Sequence, residues 1–228
     1  MIAVISCRGA TRRYPRNGTD AVVAVRDVDL EVQAGEFVAI QGPSGSGKTT
    51  LLGLLAGLEA ADEGTVSVLG HDLARLSLAE RARLRRSGMG IVFQSFGLVA
   101  SLTAGENVAL PLALAGMERA ERRQRAAAAL YEVGLGTGED RRTDELSGGE
   151  RQRVGVARAI AGDPSLVLAD EPTGSLDDEN AAVILDLLTA TVRKRGASLV
   201  LVTHDPESAA RADRSIRMRD GAFLNGDA

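Results

Sequence analysis

Nine consecutive residues, Gly42-Pro43-Ser44-Gly45-Ser46-Gly47-Lys48-Thr49-Thr50, combine glycines, hydroxyls and one lysine in the pattern G-x-x-x-x-G-K-[ST]. That mixture suits a phosphate. Glycines at 42, 45 and 47 let the backbone turn with its N–H groups inward, Lys48 reaches the β and γ phosphates of a nucleotide, and Thr49 offers its hydroxyl to magnesium. A Gly/Ser-rich turn that binds nothing would not need the lysine and threonine in register. Further along, Asp170 and Glu171 stand side by side after the apolar run Leu166-Val167-Leu168-Ala169. Ending an apolar strand in two charges is costly unless something pairs them. In a nucleotide site Asp170 helps hold magnesium through its water shell, and Glu171 polarises the attacking water as general base.

The elements that must position these groups are legible around them. Phe37-Val38-Ala39-Ile40-Gln41 is an apolar, β-prone run that delivers the first loop to a strand end, and Thr50 to Ala56 reads as the helix that follows. Val22 to Val32 alternates apolar and polar residues, as half-buried antiparallel strands do. Strands are predicted near Gly64–Leu69, Gly90–Phe93, Leu166–Ala169 and Ser198–Thr203, the last three apolar enough for a parallel, helix-covered sheet. Between Phe93 and Leu166 two stretches are helical: one opens with a capping box at Thr103 and Glu106, the other spans about Glu118 to Val133. Ser147-Gly148-Gly149 before an amphipathic run (Val154, Val156, Ala157, Ile160) is a helix N-terminus stripped of side chains, so its N–H groups can approach an anion. Ser147 and Glu150 also have capping-box spacing; we assign the anion to Ser147 and the cap to Glu150. A second box at Ser77 and Glu80 starts a helix on which Arg81, Arg83, Arg85 and Arg86 form a solvated face. Asp220-Gly221 predicts a closing hairpin within Arg214 to Asp227.

Composition fits a globular enzyme: 228 residues, 44% hydrophobic, 25% charged. A formal net charge of -4 argues against wholesale nucleic-acid binding. Cys7, the single cysteine, has no internal disulfide partner and reads as a small apolar residue of an N-terminal strand. No apolar stretch approaches the ~18 residues of a membrane span, and the N-terminus does not read as a signal peptide. A membrane role is therefore expected to come through a partner.

The loop at 42–50, the string Leu146-Ser147-Gly148-Gly149-Glu150 and Leu166 to Glu171 resemble, in order and spacing, the ATP-binding-cassette ATPases over nearly the whole chain. The resemblance implies an α/β fold: a P-loop NTPase core with a parallel sheet, an N-terminal antiparallel β-subdomain and an inserted helical subdomain. It implies one ATPase domain over 1–228, with the core at about 1–94 and 160–228 and the helical subdomain at about 95–159. ATP and magnesium are the implied cofactors. Residues 42–50 would cradle the phosphates, Tyr14 would stack on adenine, Gln94 would reach metal and water, and His204 would contact the γ-phosphate. His71, in a Gly70-His71-Asp72 turn, matches no motif and receives no role. Ser147, Gly148 and Gly149 would meet the ATP of a second copy in a head-to-tail homodimer, with Ser175, Leu176 and Asp177 in the loop that crosses to it. Glu150 departs from the glutamine of many relatives, so its charge must turn back onto the helix, with Arg151 and Arg153 near enough in sequence to offset it.

Residues from Phe93 to Val99, with Leu102 to Val108 and Leu110-Pro111-Leu112, are similar to the lipoprotein-releasing, macrolide-exporting and antimicrobial-peptide-exporting branch. What this implies is an ATPase subunit on the cytoplasmic face of the membrane. It would power export or extraction of a lipid-linked, peptide or drug-like substrate through a separate permease that docks beside the Gln94 loop. A cell-division cassette regulating cell-wall hydrolases, or an ATPase of a soluble assembly, is the alternative.

Overall fold

The structure, a computed structural model, describes residues 3–16 and 19–224. The chain divides into two compact units, residues 1–82 with 198–228, and residues 83–197. The first unit opens with β1 (Ala3–Arg16) and β2 (Thr19–Gln33), an antiparallel pair. Cys7 is buried on β1, and burial, aided by Asp29, pushes its thiol up to about 12, as expected of a packing residue. β3 (Phe37–Gln41), buried over its first four residues, leads into α1 (Lys48–Leu55). The helix starts two residues earlier than its apolar run suggests, so Lys48 and Thr49 stand on its first turn. β4 (Glu63–Val68) pairs with β1, and β5 (His71–Asp72) with β4, giving an antiparallel sheet in the order β2-β1-β4-β5. This corrects the turn expected at His71. The reversal is made one step earlier by Leu69 and Gly70, both at positive φ, and exposed His71 pairs with Val68.

α2 (Leu78–Gly88) begins with the predicted Ser77–Glu80 box and has no buried residue, consistent with a solvated arginine face. In the second unit, β6 (Met89–Val92) and β7 (Leu166–Asp170) run parallel, with Met89 opposite Leu166 and Val92 opposite Ala169. Between them lie α3 (Ala104–Leu114), capped by Thr103 and Glu106, α4 (Arg119–Glu132) and α5 (Gly148–Ile160). Asn107, fully buried on α3, holds the preceding loop through Val99, Leu102 and Thr103. α6 (Asp178–Lys194) completes this unit.

The chain then returns to the first unit. β8 (Ser198–Thr203), buried along its length, pairs parallel with β3, and α7 (Pro206–Ala209) follows. β9 (Arg214–Arg219) takes the other edge of β3, also parallel, and β10 (Ala222–Phe223) folds back on it. The hairpin turns at Asp220 and Gly221, both at positive φ, as the two-residue connection requires. Residues 225–227 of the predicted segment lie outside the described residues.

Candidate nucleotide site

In the first unit, the loop between β3 and α1 is shaped by close approaches. A Cβ on Gly42 would lie 2.2 Å from the Met218 carbonyl, and one on Gly47 2.1 Å from the Ala24 carbonyl. Gly42 is thus needed for space, Gly45 for its φ of 78°, and Gly47, at φ 103°, for both. The C-terminal hairpin supplies the brace, since Gly221 N donates to Ser46 O at 3.0 Å. Nothing in the local sequence announces that contact.

Lys48 is only 4% exposed, and its Nζ donates to the carbonyls of Gly42 (2.8 Å) and Pro43 (3.0 Å). A buried ammonium resting on its own loop's carbonyls is poised to exchange them for phosphate oxygens. The Ser46 hydroxyl is buried and unpartnered, and no side chain caps α1 at Gly47. An orphan donor, a buried cation and an uncapped helix start converge on one loop, which fits an anion. Thr49 is exposed on the first turn, and Thr50 is half-buried behind it.

Gly42 N donates to Thr203 O at 3.2 Å, tying the start of the loop to the residue before His204, which is exposed. Asp205 caps α7 by accepting from Glu207 N and Ser208 N. The Ser208 hydroxyl, then the cap amides and His204, hold its carboxyl below the usual range. Tyr14 is half-buried: its hydroxyl donates to Glu59 and the Arg12 guanidinium lies 4.9 Å over its ring. One face of the ring thus already carries a cation.

In the second unit, Asp170 ends β7 half-buried, and Glu171 turns the chain at φ 40°, a left-handed conformation that a side chain rarely adopts. Gln94 is exposed in the loop after β6. A Cβ on Gly174 would lie 3.0 Å from Gln94 Nε2 and 3.4 Å from Glu171 Oε2, so both side chains rest against one glycine. Ser175 Oγ fixes the loop further by donating to Gln94 O at 2.9 Å.

Ser147 caps α5 with its exposed side chain, and the box is complete: Glu150 N donates to Ser147 Oγ (3.2 Å) and Ser147 N to Glu150 Oε2 (2.8 Å). The partner of Glu150 is not Arg151 or Arg153. Arg141 holds it at 2.5 Å, and, with the Ser147 amide, keeps its carboxyl down at about 2. Arg151 donates to Thr143 O, and Arg153 Nε is buried without a hydrogen-bond partner. Arg141 lies outside the motif, in a loop whose path is set by tertiary contacts, so spacing could not reveal it. Gly148 packs near Leu176, and Gly149 faces Asn180, whose amide is held by Asp177, the cap of α6. A cavity of about 230 Å³ beside the Gln94 loop is lined by Ser95, Phe96, Leu98, Ala100, Asp144 and Arg151, among others.

The sequence profile of the ABC transporter family matches residues 25–174. The chain is 44% identical over 218 residues to the lipoprotein-releasing system ATP-binding protein LolD of Chromohalobacter salexigens, a match covering 96% of this chain and 92% of the relative. It is 43% identical over 227 residues to the pyoverdine export ATP-binding/permease protein PvdT of Pseudomonas aeruginosa, covering 100% of this chain but 34% of the relative. The macrolide export ATP-binding/permease protein MacB of Salmonella typhimurium is matched at 40% over 225 residues, again across 34% of its length. The chain thus spans about a third of these export relatives. Among solved structures, the ATP-binding cassette MJ0796, in a dimeric post-hydrolysis state with ADP and Pi, superimposes with a TM-score of 0.89 at 37% identity, covering 97% of each chain. These matches cover most of the chain and most of the lipoprotein-releasing relative, and the chain belongs to the ABC transporter family as its ATP-binding cassette.

Proposed function

We propose that this chain hydrolyses ATP between two head-to-tail copies of itself and passes the resulting closure and opening to a membrane permease. The observation that carries the reading is the phosphate loop: a buried Lys48 on its own carbonyls beside the orphan hydroxyl of Ser46. Lys48 and backbone N–H groups of the loop at 42–50 hold the β and γ phosphates. Tyr14 offers its ring to adenine, His204 contacts the γ-phosphate, and Ser147, Gly148 and Gly149 approach it from the second copy. Asp177 caps the helix behind the crossing loop. Water attacks the γ-phosphorus, its proton passes to Glu171, and ADP and phosphate leave. The Gln94 amide, resting beside Glu171 on Gly174, orients that water.

Magnesium fits the donors available. A carboxylate, a hydroxyl and an amide oxygen are hard oxygen donors of the kind magnesium takes beside phosphates and water. Thr49, Asp170 and Gln94 would hold it. When bound, it neutralises charge developing on the phosphates.

Residues 95–159 serve as a helical subdomain, and the cavity at Phe96 and Leu98 receives the permease. No helix among the described residues is long and apolar enough to cross a membrane; in this reading the permease carries the attachment at the cytoplasmic face. Relatives named for pyoverdine export, macrolide export and lipoprotein release support export or extraction of a peptide, drug-like or lipid-linked substrate. The relative matched over most of its length is an ATP-binding protein, which favours a separate permease subunit. The site is tested by titrating a slowly hydrolysed ATP analogue. Lys48→Ala abolishes or strongly weakens binding, while Tyr14→Ala weakens it modestly and leaves the hydrolytic step nearly intact. Equal effects of the two would contradict the division of labour.

A further inference from the structure

Three carbonyls of one short loop are gripped by one helix. Phe93–Gly97 follows β6 and carries Gln94. From α5, Arg158 Nη2 donates to Phe96 O at 3.0 Å and Nη1 to Gly97 O, while the guanidinium lies 5.9 Å from the centroid of the Phe93 ring. Earlier on the same helix, fully buried Gln152 directs Nε2 at Phe93 O, 3.5 Å away, and its Oε1 is buried without a partner.

The backbone explains how one guanidinium reaches two successive carbonyls. Extended residues point alternate carbonyls to opposite sides, whereas residues of one helical hand point them the same way. Phe96 and Gly97 are both left-handed, at φ 61° and 58°. A Cβ on Gly97 would lie 2.9 Å from Phe93 Cδ2 and 3.2 Å from Arg158 Nη2, so this position must be bare to admit the fork. Phe96, with a full side chain in that conformation, stays there only because its surroundings hold it. Burial pushes the Arg158 pKa down; the cation takes two carbonyls and a ring face in place of water. On the other flank, Ser175 Oγ fixes Gln94 O, and Gly174 sets the Gln94 amide beside Glu171.

We infer that Arg158 is a positioning residue. Its fork locks the Phe93–Gly97 loop onto α5, so the Gln94 amide is held at Glu171, and the loop moves as one piece with the helix that begins at Ser147. This rests on the proposed role of Gln94 in hydrolysis. Lysine carries the charge but offers no rigid fork, so Arg158→Lys keeps the charge and loses the two-carbonyl grip.

The test uses the full chain and compares Arg158→Ala, Arg158→Lys, Gln94→Ala and the Arg158/Gln94 double variants. Nucleotide affinity, measured with a slowly hydrolysed ATP analogue, stays within about twofold in Arg158→Ala, because the phosphate loop is untouched. Turnover falls by about ten- to a hundredfold, the cost of a slightly misplaced catalytic group, and Arg158→Lys falls in between. In the Gln94→Ala background, replacing Arg158 produces little further loss, since there is no amide left to position. Multiplying losses would show that Arg158 acts independently of Gln94 and would overturn the inference, as would wild-type turnover in Arg158→Ala. If Arg158→Ala does not fold, the same cycle with Arg158→Lys decides by the same criterion. A Gln94→Ala variant with full turnover removes the inference and the role of Gln94 together. A wild-type chain that neither binds nor hydrolyses ATP instead removes the nucleotide reading itself.

Discussion

Replacing Arg141 with alanine isolates the ion pair that lets a carboxylate stand at the start of α5. Arg141 Nη1 lies 2.5 Å from Glu150 Oε1, and Nη2 also donates to Glu145 O at 2.8 Å. The Arg141 hydrogen bond is the largest reason that Glu150 sits at about 2 instead of 4.5, followed by the Ser147 amide. Were that whole displacement stability, it would amount to roughly 3 kcal/mol. Arg141 is 40% exposed and Glu150 25%, so water screens the pair, and only part of the displacement is Arg141's. A loss of about 1 kcal/mol near neutral pH is expected. The sign follows from a depressed carboxyl: its contribution is complete above 4.5 and disappears as pH falls towards 2. Urea unfolding of wild type and Arg141→Ala should therefore show a gap near neutral pH that narrows as pH falls from about 5 to 3 and shrinks in roughly 1 M salt. Equal stability at neutral pH in low salt, or a gap indifferent to both pH and salt, would refute the reasoning.

Two further outcomes follow from the site. Glu171→Gln preserves the shape of the residue beside Gly174 while removing its basicity. ATP binding persists, turnover drops at least about a hundredfold, and an ATP-bound dimer accumulates on size exclusion; near-normal turnover would remove Glu171 from the base role. Leu98→Asp puts a charge into the cavity beside the Gln94 loop, so assembly with the permease and transport fail while the melting temperature of the isolated chain holds. A fall in melting temperature would instead mark Leu98 as ordinary packing.

The stretches proposed to contact phosphate are legible in the sequence because their chemistry demands contiguous residues. A phosphate loop needs its glycines, lysine and threonine in one run, and the carboxylates need an apolar strand ahead of them. The strands from Phe37, Leu166 and Ser198 and the cap at Thr103 carried local signals of the same kind. What stayed hidden depends on residues distant in sequence: the hairpin turn at Gly221 under Ser46, Arg141 on Glu150, Arg12 over Tyr14, and Arg158 on the Gln94 loop. β5 was missed because two residues have no periodicity of their own; pairing with Val68 makes them a strand. The need for a bare Gly42 has a further cause that the local sequence does not carry: its backbone is not at positive φ, and the Met218 carbonyl excludes a side chain.

The proposed composite ATP site is tested most directly by mixing two dead variants. Ser147→Arg puts a long cation where the γ-phosphate of the other copy must approach α5, and Lys48→Ala disables the phosphate loop; each homodimer carries two damaged sites and is inactive. In a mixed head-to-tail dimer both lesions fall on one site, because the altered α5 of one chain faces the altered loop of the other. The second site is then intact, and the account predicts that mixing restores part of the ATPase activity, rising with the fraction of mixed dimers. No recovery in demonstrably mixed dimers, or crosslinking of Ser147 to ATP held by Lys48 of the same chain, would contradict it.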